Sequence, residues 1–259
     1  HWREAPGSWD QATMTAGTGN LFEGTIPAPS APDDRFEYWL EAVDSAGYTN
    51  QTATHSFDVV YAVFTYTPTN TALLMFVAED ANGKDLEPGD LSQGTLYAGI
   101  WNQVADTPEG GKANLTWVNL GHATADQIKK AVFDEEVTFD QLFDYEAVSE
   151  PDDGTCPALN SINSGHGSPY HECLAIKDGV GETVVSRLET RRYAALKGAT
   201  TEFRKMEGAS YDPAGRKLYM AMSDIGSGMK DGDATRDLGG PNHIRLTANK
   251  CGAIYELPL

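Results

Sequence analysis

From Arg35 to Val43 (RFEYWLEAV) the chain alternates, with Phe36, Tyr38, Leu40 and Ala42 on one face and Glu37, Trp39, Glu41 and Val43 on the other. A period of two predicts a β-strand with both faces in use. The proline-rich "TIPAPSAPDD" leads into it, "DSAGYTN" is a turn cluster after it, and "HSFDVVYAVF" resumes extended structure. Residues 1–60 therefore read as a small β module. The pattern changes near residues 60–66. "LLMFVAEDANGKDL" predicts a strand running into a tight Asn-Gly hairpin, and "GTLYAGIWNQ" and "ANLTWVNLG" predict two further strands bridged by the glycine-rich "DTPEGGK".

Helices are announced by their caps. Thr124 and Gln127 form a capping-box pair before Ile128–Phe133, and Thr138 and Gln141 form another before Leu142–Val148. Ser186 and Glu189 make a third, opening "RLETRRYAALK", which stops at Lys197 and Gly198. "CPALNSINSGHGSPYHEC" is a loop by composition. "ASYDPAGRKLYMAMSDI" reads as strand, turn, strand, and "NHIRLTANKCGAIYELPL" as a further hairpin-like segment. No strict internal repeat is legible. The expected fold is mainly β and antiparallel with short helical insertions, as in propellers or sandwiches, over residues 61–259.

Charge narrows the function. The 19 Lys and Arg against 38 Asp and Glu give a formal net charge of -19, which argues against non-specific nucleic-acid binding. Acidity of this kind offers carboxylates to hard cations such as calcium. No apolar run reaches the ~20 residues that span a bilayer. The chain opens at His1 without an initiator Met or a signal-peptide pattern, as a mature or trimmed product does. Cys156, Cys173 and Cys251 lack zinc-site spacing; Cys156 and Cys173 can close a loop and leave Cys251 over, but the sequence does not fix the connectivity. Asn50-Gln-Thr52 and Asn114-Leu-Thr116 fit the glycosylation pattern, which is common by chance. The run 134–153 holds nine acids and no Lys or Arg, and reads as a solvated face or loop.

One segment runs against the overall charge. Between Arg191 and Lys217 stand seven cations (Arg191, Arg192, Lys197, Arg204, Lys205, Arg216, Lys217) and three acids (Glu202, Glu207, Asp212), a local excess of four. If "RKMEG" is extended, Lys205 and Glu207 share a face, with Gly208 allowing close backbone approach. A carboxylate and an ammonium there suit a hard cation and a phosphate oxygen, respectively. The plainer reading is a surface ion pair of little energetic weight.

"TRRYAALKGATTEFRKMEG", "KLYMAMSDI" and "NHIRLTANKCGAIYEL" resemble the PhoX family of secreted alkaline phosphatases, and "DLSQGTLYAGIWNQ" with "ANLTWVNLGHA" resembles the strands before that motif. The resemblance covers roughly residues 60–259 and is most specific over Thr190–Ile225. It implies a β-propeller that hydrolyses phosphomonoesters with calcium and iron, with Glu207 as a metal ligand and Lys205 in contact with substrate phosphate. It gives no role to Glu189. The early Asn-Cys-Ala-Gly-Gly type motif that supplies the family's iron-bridging cysteine has no counterpart in this sequence, and His171, Glu172 and Cys173 do not reproduce it. Residues 1–60 resemble the second half of the immunoglobulin-like modules appended to secreted bacterial proteins, in "FEGTIPAP" and "EYWLEAVDSAGY", which implies an N-terminal β-sandwich segment.

The resulting expectation is a secreted, periplasmic or cell-surface phosphomonoesterase acting on a small phosphoester. The alternative is a non-catalytic, calcium-stabilised extracellular structural or adhesive protein built on the same β modules and capable of self-assembly. Asp80, Asn82, Asp85, Glu87 and Asp90, and separately Asp231, Asp233 and Asp237, are further calcium candidates that more often prove to be solvated turns.

Overall fold

The computed structural model describes residues 2–5, 15–16, 22–23, 35–38, 41–43, 49–51, 55–58, 72–87, 90–107, 110–165, 170–212 and 214–258, with side chains from residue 72 onward. The proline-rich connection at 25–34 and most of the 44–50 turn cluster lie outside these residues. The chain divides into two compact units, one of residues 1–61 with 82–91 and one of residues 62–81 with 92–259.

The first unit contains β1 (Trp2–Ala5), β2 (Thr15–Ala16), β3 (Phe22–Glu23), β4 (Arg35–Tyr38), β5 (Glu41–Val43), β6 (Thr49–Gln51) and β7 (His55–Asp58). β4 is the centre of a three-stranded antiparallel sheet, with Phe36 opposite Glu4 of β1 and Phe57 of β7. The expected strand at 35–43 is thus present as β4 and β5, and β5 pairs with β6 instead of extending the β4 ladder.

The second unit is mainly β. Its strands are β8 (Leu74–Val77), β9 (Gln93–Ala105), β10 (Lys112–Thr124), β11 (Phe143–Glu146), β12 (Asn160–Asn163), β13 (His171–Ile176), β14 (Met206–Asp212), β15 (Lys217–Met222) and β16 (Ala253–Pro258). They form three antiparallel sheets of three strands, ordered β10-β9-β8, β11-β13-β12 and β14-β15-β16. Among the described residues no sheet closes into a barrel.

The β8–β10 sheet explains why its strands read as near-continuous apolar runs. Leu74, Leu96, Ala98 and Leu120 enter one core with Leu142, Phe143, Leu174, Val185 and Tyr193. Leu73 and Trp101, with Leu115 and Trp117 beside them, enter a second core with Phe203, Leu218, Met220, Met222, Ile244 and Leu246. A sheet buried on both faces needs apolar residues at both parities. β8 pairs with β9, Leu74 opposite Ala98. The turn conformation is present at Gly83 (φ 75°), with bridge residues Glu79 and Asp85 on either side of it. The β9–β10 hairpin does turn at the predicted glycines, Gly110 and Gly111 (φ 97° and 70°).

Two capping boxes form. Thr124 Oγ1 accepts from the Gln127 N–H (3.2 Å) and Gln127 Oε1 accepts from the Thr124 N–H (2.9 Å), opening α1 (Ala125–Lys129), which loosens into a π-helical turn over Lys130–Asp134. Gln141 Oε1 accepts from the Thr138 N–H (2.8 Å) at α2 (Phe139–Leu142). The helix predicted to run on to Val148 stops there, because Phe143 is buried and β11 pairs with β13. The third box is corrected. Ser186 is buried inside α3 (Glu182–Leu188), donating to Thr183 O (2.9 Å), and Glu189 marks a break before α4 (Thr190–Leu196). The segment 156–173, expected as a loop, holds β12 and most of the β12–β13 pairing. Residues 242–258 contribute β16, which pairs with β15, and bridges from Leu246 to Lys230 and from Asn249 to Ile225, in place of the expected hairpin.

Candidate functional site

The cation island is largely neutralised by carboxylates from elsewhere in the chain. Arg192 donates from Nε and Nη2 to the Glu172 carboxylate (2.5 and 3.1 Å) and from Nη1 to Glu189 (2.7 Å). Lys197 pairs with Glu182 (2.9 Å), Arg204 with Asp224 (2.6 Å) and Lys217 with Glu256 (3.0 Å). Arg191 is partly buried, and burial followed by the neighbouring Arg192 pulls its guanidinium below the usual arginine range. Arg216 sits exposed in the β14–β15 turn at φ 49°.

Lys205 and Glu207 are the pair left open. Lys205 is not extended: its φ is 48°, so strand alternation does not put it on a face with Glu207, and that part of the expectation is corrected. β14 starts one residue later, and its register slips between Met206, opposite Met222, and Gly208, opposite Ala221. Glu207 is the extra residue of this bulge and is exposed on an edge strand. Bulges re-aim side chains and are frequent beside functional sites. Among the described residues, neither Lys205 nor Glu207 has a side-chain hydrogen bond or ion pair.

The neighbouring loop is tied to this corner. Lys205 O accepts from the Ser223 N–H (3.1 Å), and Arg204 Nη1 donates to Ser227 Oγ (2.6 Å) while Nε holds Asp224. Ser227 is also left-handed (φ 44°), so one strained non-glycine residue follows Arg204 in the chain and another accepts from its guanidinium. Strain of this kind costs of order 1–3 kcal/mol per residue and persists where surrounding structure imposes it. Arg204, Asp224 and Ser227 thus form a polar corner beside the Lys205 backbone, and Glu207 follows two residues along on the exposed bulge.

A second constellation was hidden in the sequence. His171 is buried on β13, and its Nδ1 faces Asp152 Oδ1 (2.6 Å). Burial tends to raise the Asp152 carboxyl, but the Gly154 N–H and the imidazole outweigh it and hold the acid below its ordinary value. His171 Nε2 lies 3.0 Å from Ser161 Oγ, 3.4 Å from Cys156 Sγ and 3.8 Å from Cys173 Sγ. Asp, His and Ser are therefore in the order of a nucleophile relay. The hydroxyl, however, also lies 2.6 Å from Gly154 O and 2.8 Å from Gly239 O. With one proton to donate and two carbonyls to satisfy, Ser161 is a structural hydroxyl and not an activated nucleophile. Gly239 closes the cluster: at φ 87°, a Cβ would stand 2.4 Å from His171 Cδ2 and 2.5 Å from Ile162 O. Cys156 and Cys173 are joined as a disulfide with Cα atoms 5.6 Å apart, and Cys251 is free and exposed. Glu172 is engaged with Arg192, so none of His171, Glu172 and Cys173 stands as an open ligand in this state.

Burial raises the Asp237 carboxyl, and Asp233 and Asp231 lie near enough for their charges to add to the rise, but among the described residues the three do not bring their oxygens within 4.8 Å of one another. Among the described residues, Cys156, His171 and Cys173 are the one group of three or more His, Cys, Asp or Glu that brings ligand atoms within 4.8 Å of one another. No helix among the described residues is long and apolar enough to cross a membrane. Comparison of the chain with protein-family profiles, characterised proteins and solved structures finds no match.

Proposed function

We propose that this chain carries the phosphate-handling corner of an extracellular, metal-dependent phosphomonoesterase of the PhoX kind. One observation carries the reading. In a segment whose other cations are mostly tied to carboxylates, Lys205 and Glu207 stay open two residues apart, Lys205 on left-handed backbone and Glu207 at a bulge. Lys205 supplies a point charge to a non-bridging phosphate oxygen, and Arg204, oriented by Asp224 and Ser227, adds a second cation as charge builds on the phosphoryl group.

Calcium and iron, the cations the resemblance implies, would find one carboxylate here, Glu207; Asp224 is held by Arg204. The described residues around Glu207 do not by themselves fit a calcium–iron cluster, so no step is routed through one. The propeller arrangement of the small sheets, the immunoglobulin-like character of the first unit and a secreted, periplasmic or cell-surface location belong to the same proposal.

Lys205 allows backbone strain and ligand contact to be separated. Lys205→Gly is expected to be more stable than Lys205→Ala by about 1 kcal/mol in denaturant unfolding, because glycine removes the left-handed penalty. Both variants should lose about tenfold or more in affinity for inorganic phosphate by calorimetric titration. Equal phosphate binding by wild type and both variants would remove Lys205 from the site.

A further inference from the structure

We propose that reduction of the Cys156–Cys173 bridge turns the cluster around His171 into a binding site for a soft divalent cation of the zinc class. The inference does not depend on the phosphatase reading. His171 Nε2 points between the two sulfurs, 3.4 Å from Cys156 Sγ and 3.8 Å from Cys173 Sγ. A tetrahedral zinc with ordinary Zn–N and Zn–S bonds sets nitrogen and sulfur about 3.5 Å apart. Both nitrogen–sulfur distances are already within a few tenths of an ångström of that value. Only the two sulfurs must move, parting from a covalent bond to a shared ion.

The surroundings favour that movement. Cys156 lies on the irregular, partly exposed stretch before β12, while Cys173 and His171 are fixed in β13. Asp152 holds His171 through Nδ1 and leaves Nε2 facing Ser161 Oγ (3.0 Å) and the two sulfurs, so the cation would replace the Ser161 hydroxyl as the partner of Nε2. A carboxylate on the far nitrogen is the usual outer partner of a zinc-bound histidine. The chemistry balances with a dithiol as reductant: it gives two electrons and two protons to the S–S bond, yielding two thiols, and is itself oxidised to a disulfide. The cation then displaces the thiol protons and binds two thiolates and one imidazole. The fourth position of the tetrahedron goes to water. Sequence spacing concealed the site, because the cysteines stand 17 residues apart and the histidine belongs to the strand of the second.

Cobalt(II) is the probe, because thiolate ligation gives it charge-transfer and tetrahedral ligand-field absorption. The protein is reduced with a dithiol, desalted without air and titrated with cobalt(II); the oxidised protein and a Cys251→Ser variant are titrated in parallel. One equivalent should bind to the reduced wild type and to reduced Cys251→Ser, zinc should displace it, and the oxidised protein should bind none. Asp152→Asn should lower the affinity about 10–100-fold while keeping the spectrum. Two outcomes overturn the proposal. One is a reduced protein that takes up no cobalt, whether it stays folded or unfolds without being restored by zinc. The other is equal uptake by oxidised and reduced protein.

Discussion

Glu202→Gln is expected to make the protein more stable than wild type at pH 8, by on the order of a few kcal/mol, with the advantage fading toward pH 5. Glu202 is 1% exposed, between α4 and β14. Burial pushes its carboxyl up to about 8, against the His243 and Ile244 N–H groups that donate to Oε2 (2.8 and 3.1 Å). The charge of Asp237 adds to the rise and that of Arg245 opposes it. A carboxyl raised in the folded state holds its proton more tightly there than in the unfolded chain. Its stabilising effect is therefore complete below the unfolded value near 4.5 and is lost as pH climbs through about 8. Glutamine keeps an acceptor for both N–H groups and never ionises. His243, which burial and then Arg245 hold below its ordinary value, contributes in the opposite sense over the lower part of this window. The difference between wild type and variant in urea unfolding at each pH cancels that contribution. A flat difference from pH 5 to 8 would contradict the assignment.

Breaking the Cys156–Cys173 bridge by Cys156→Ser should cost about 3 kcal/mol, the loop-entropy value for a closed loop of this length. For a unit of this size, that corresponds to a fall in melting temperature of about 6–12 °C. The bridge anchors the stretch before β12 to the buried strand β13 and sits against His171. The loss should thus appear in the unfolding of the second unit, measured by calorimetry. Cys251→Ser, which removes only an exposed thiol, should leave the transition within a degree or so. Equal melting of Cys156→Ser and wild type would show that the loop is held by its hydrogen bonds alone.

What the sequence made legible was local. The Thr124–Gln127 and Thr138–Gln141 boxes and the turn between β14 and β15 depend on residues a few positions apart, and they formed where expected. The stop at Lys197 and Gly198 (φ 80°) also formed, but the second helix did not reach Val148, because Leu142 and Phe143 are claimed by a core shared with β13 and α3. β12 escaped notice for a related reason. "NSIN" has little strand character of its own, and it is held by β13, by Thr201 donating to Asn163 O (2.6 Å) and by Asn163 donating to Arg236 O (2.5 Å). The cation island was visible as composition, but its meaning lay far along the chain, in Glu172, Glu182, Asp224 and Glu256. Lys205 and Glu207 were legible as candidates through resemblance; the left-handed turn and the bulge that present them were not. The His171 cluster joins residues from 152 to 239 and had no sequence signal beyond two cysteines and a histidine of possible ligand type.

Phosphate release from para-nitrophenyl phosphate at alkaline pH, with calcium and iron supplied, tests the central claim most directly. The expected result is turnover that a chelator abolishes and that Glu207→Gln reduces at least 100-fold with the fold intact, the scale seen when a group acting on transition-state charge is lost. Turnover unchanged by Glu207→Gln, or none from folded, metal-loaded protein, would contradict it and favour the structural, calcium-stabilised alternative.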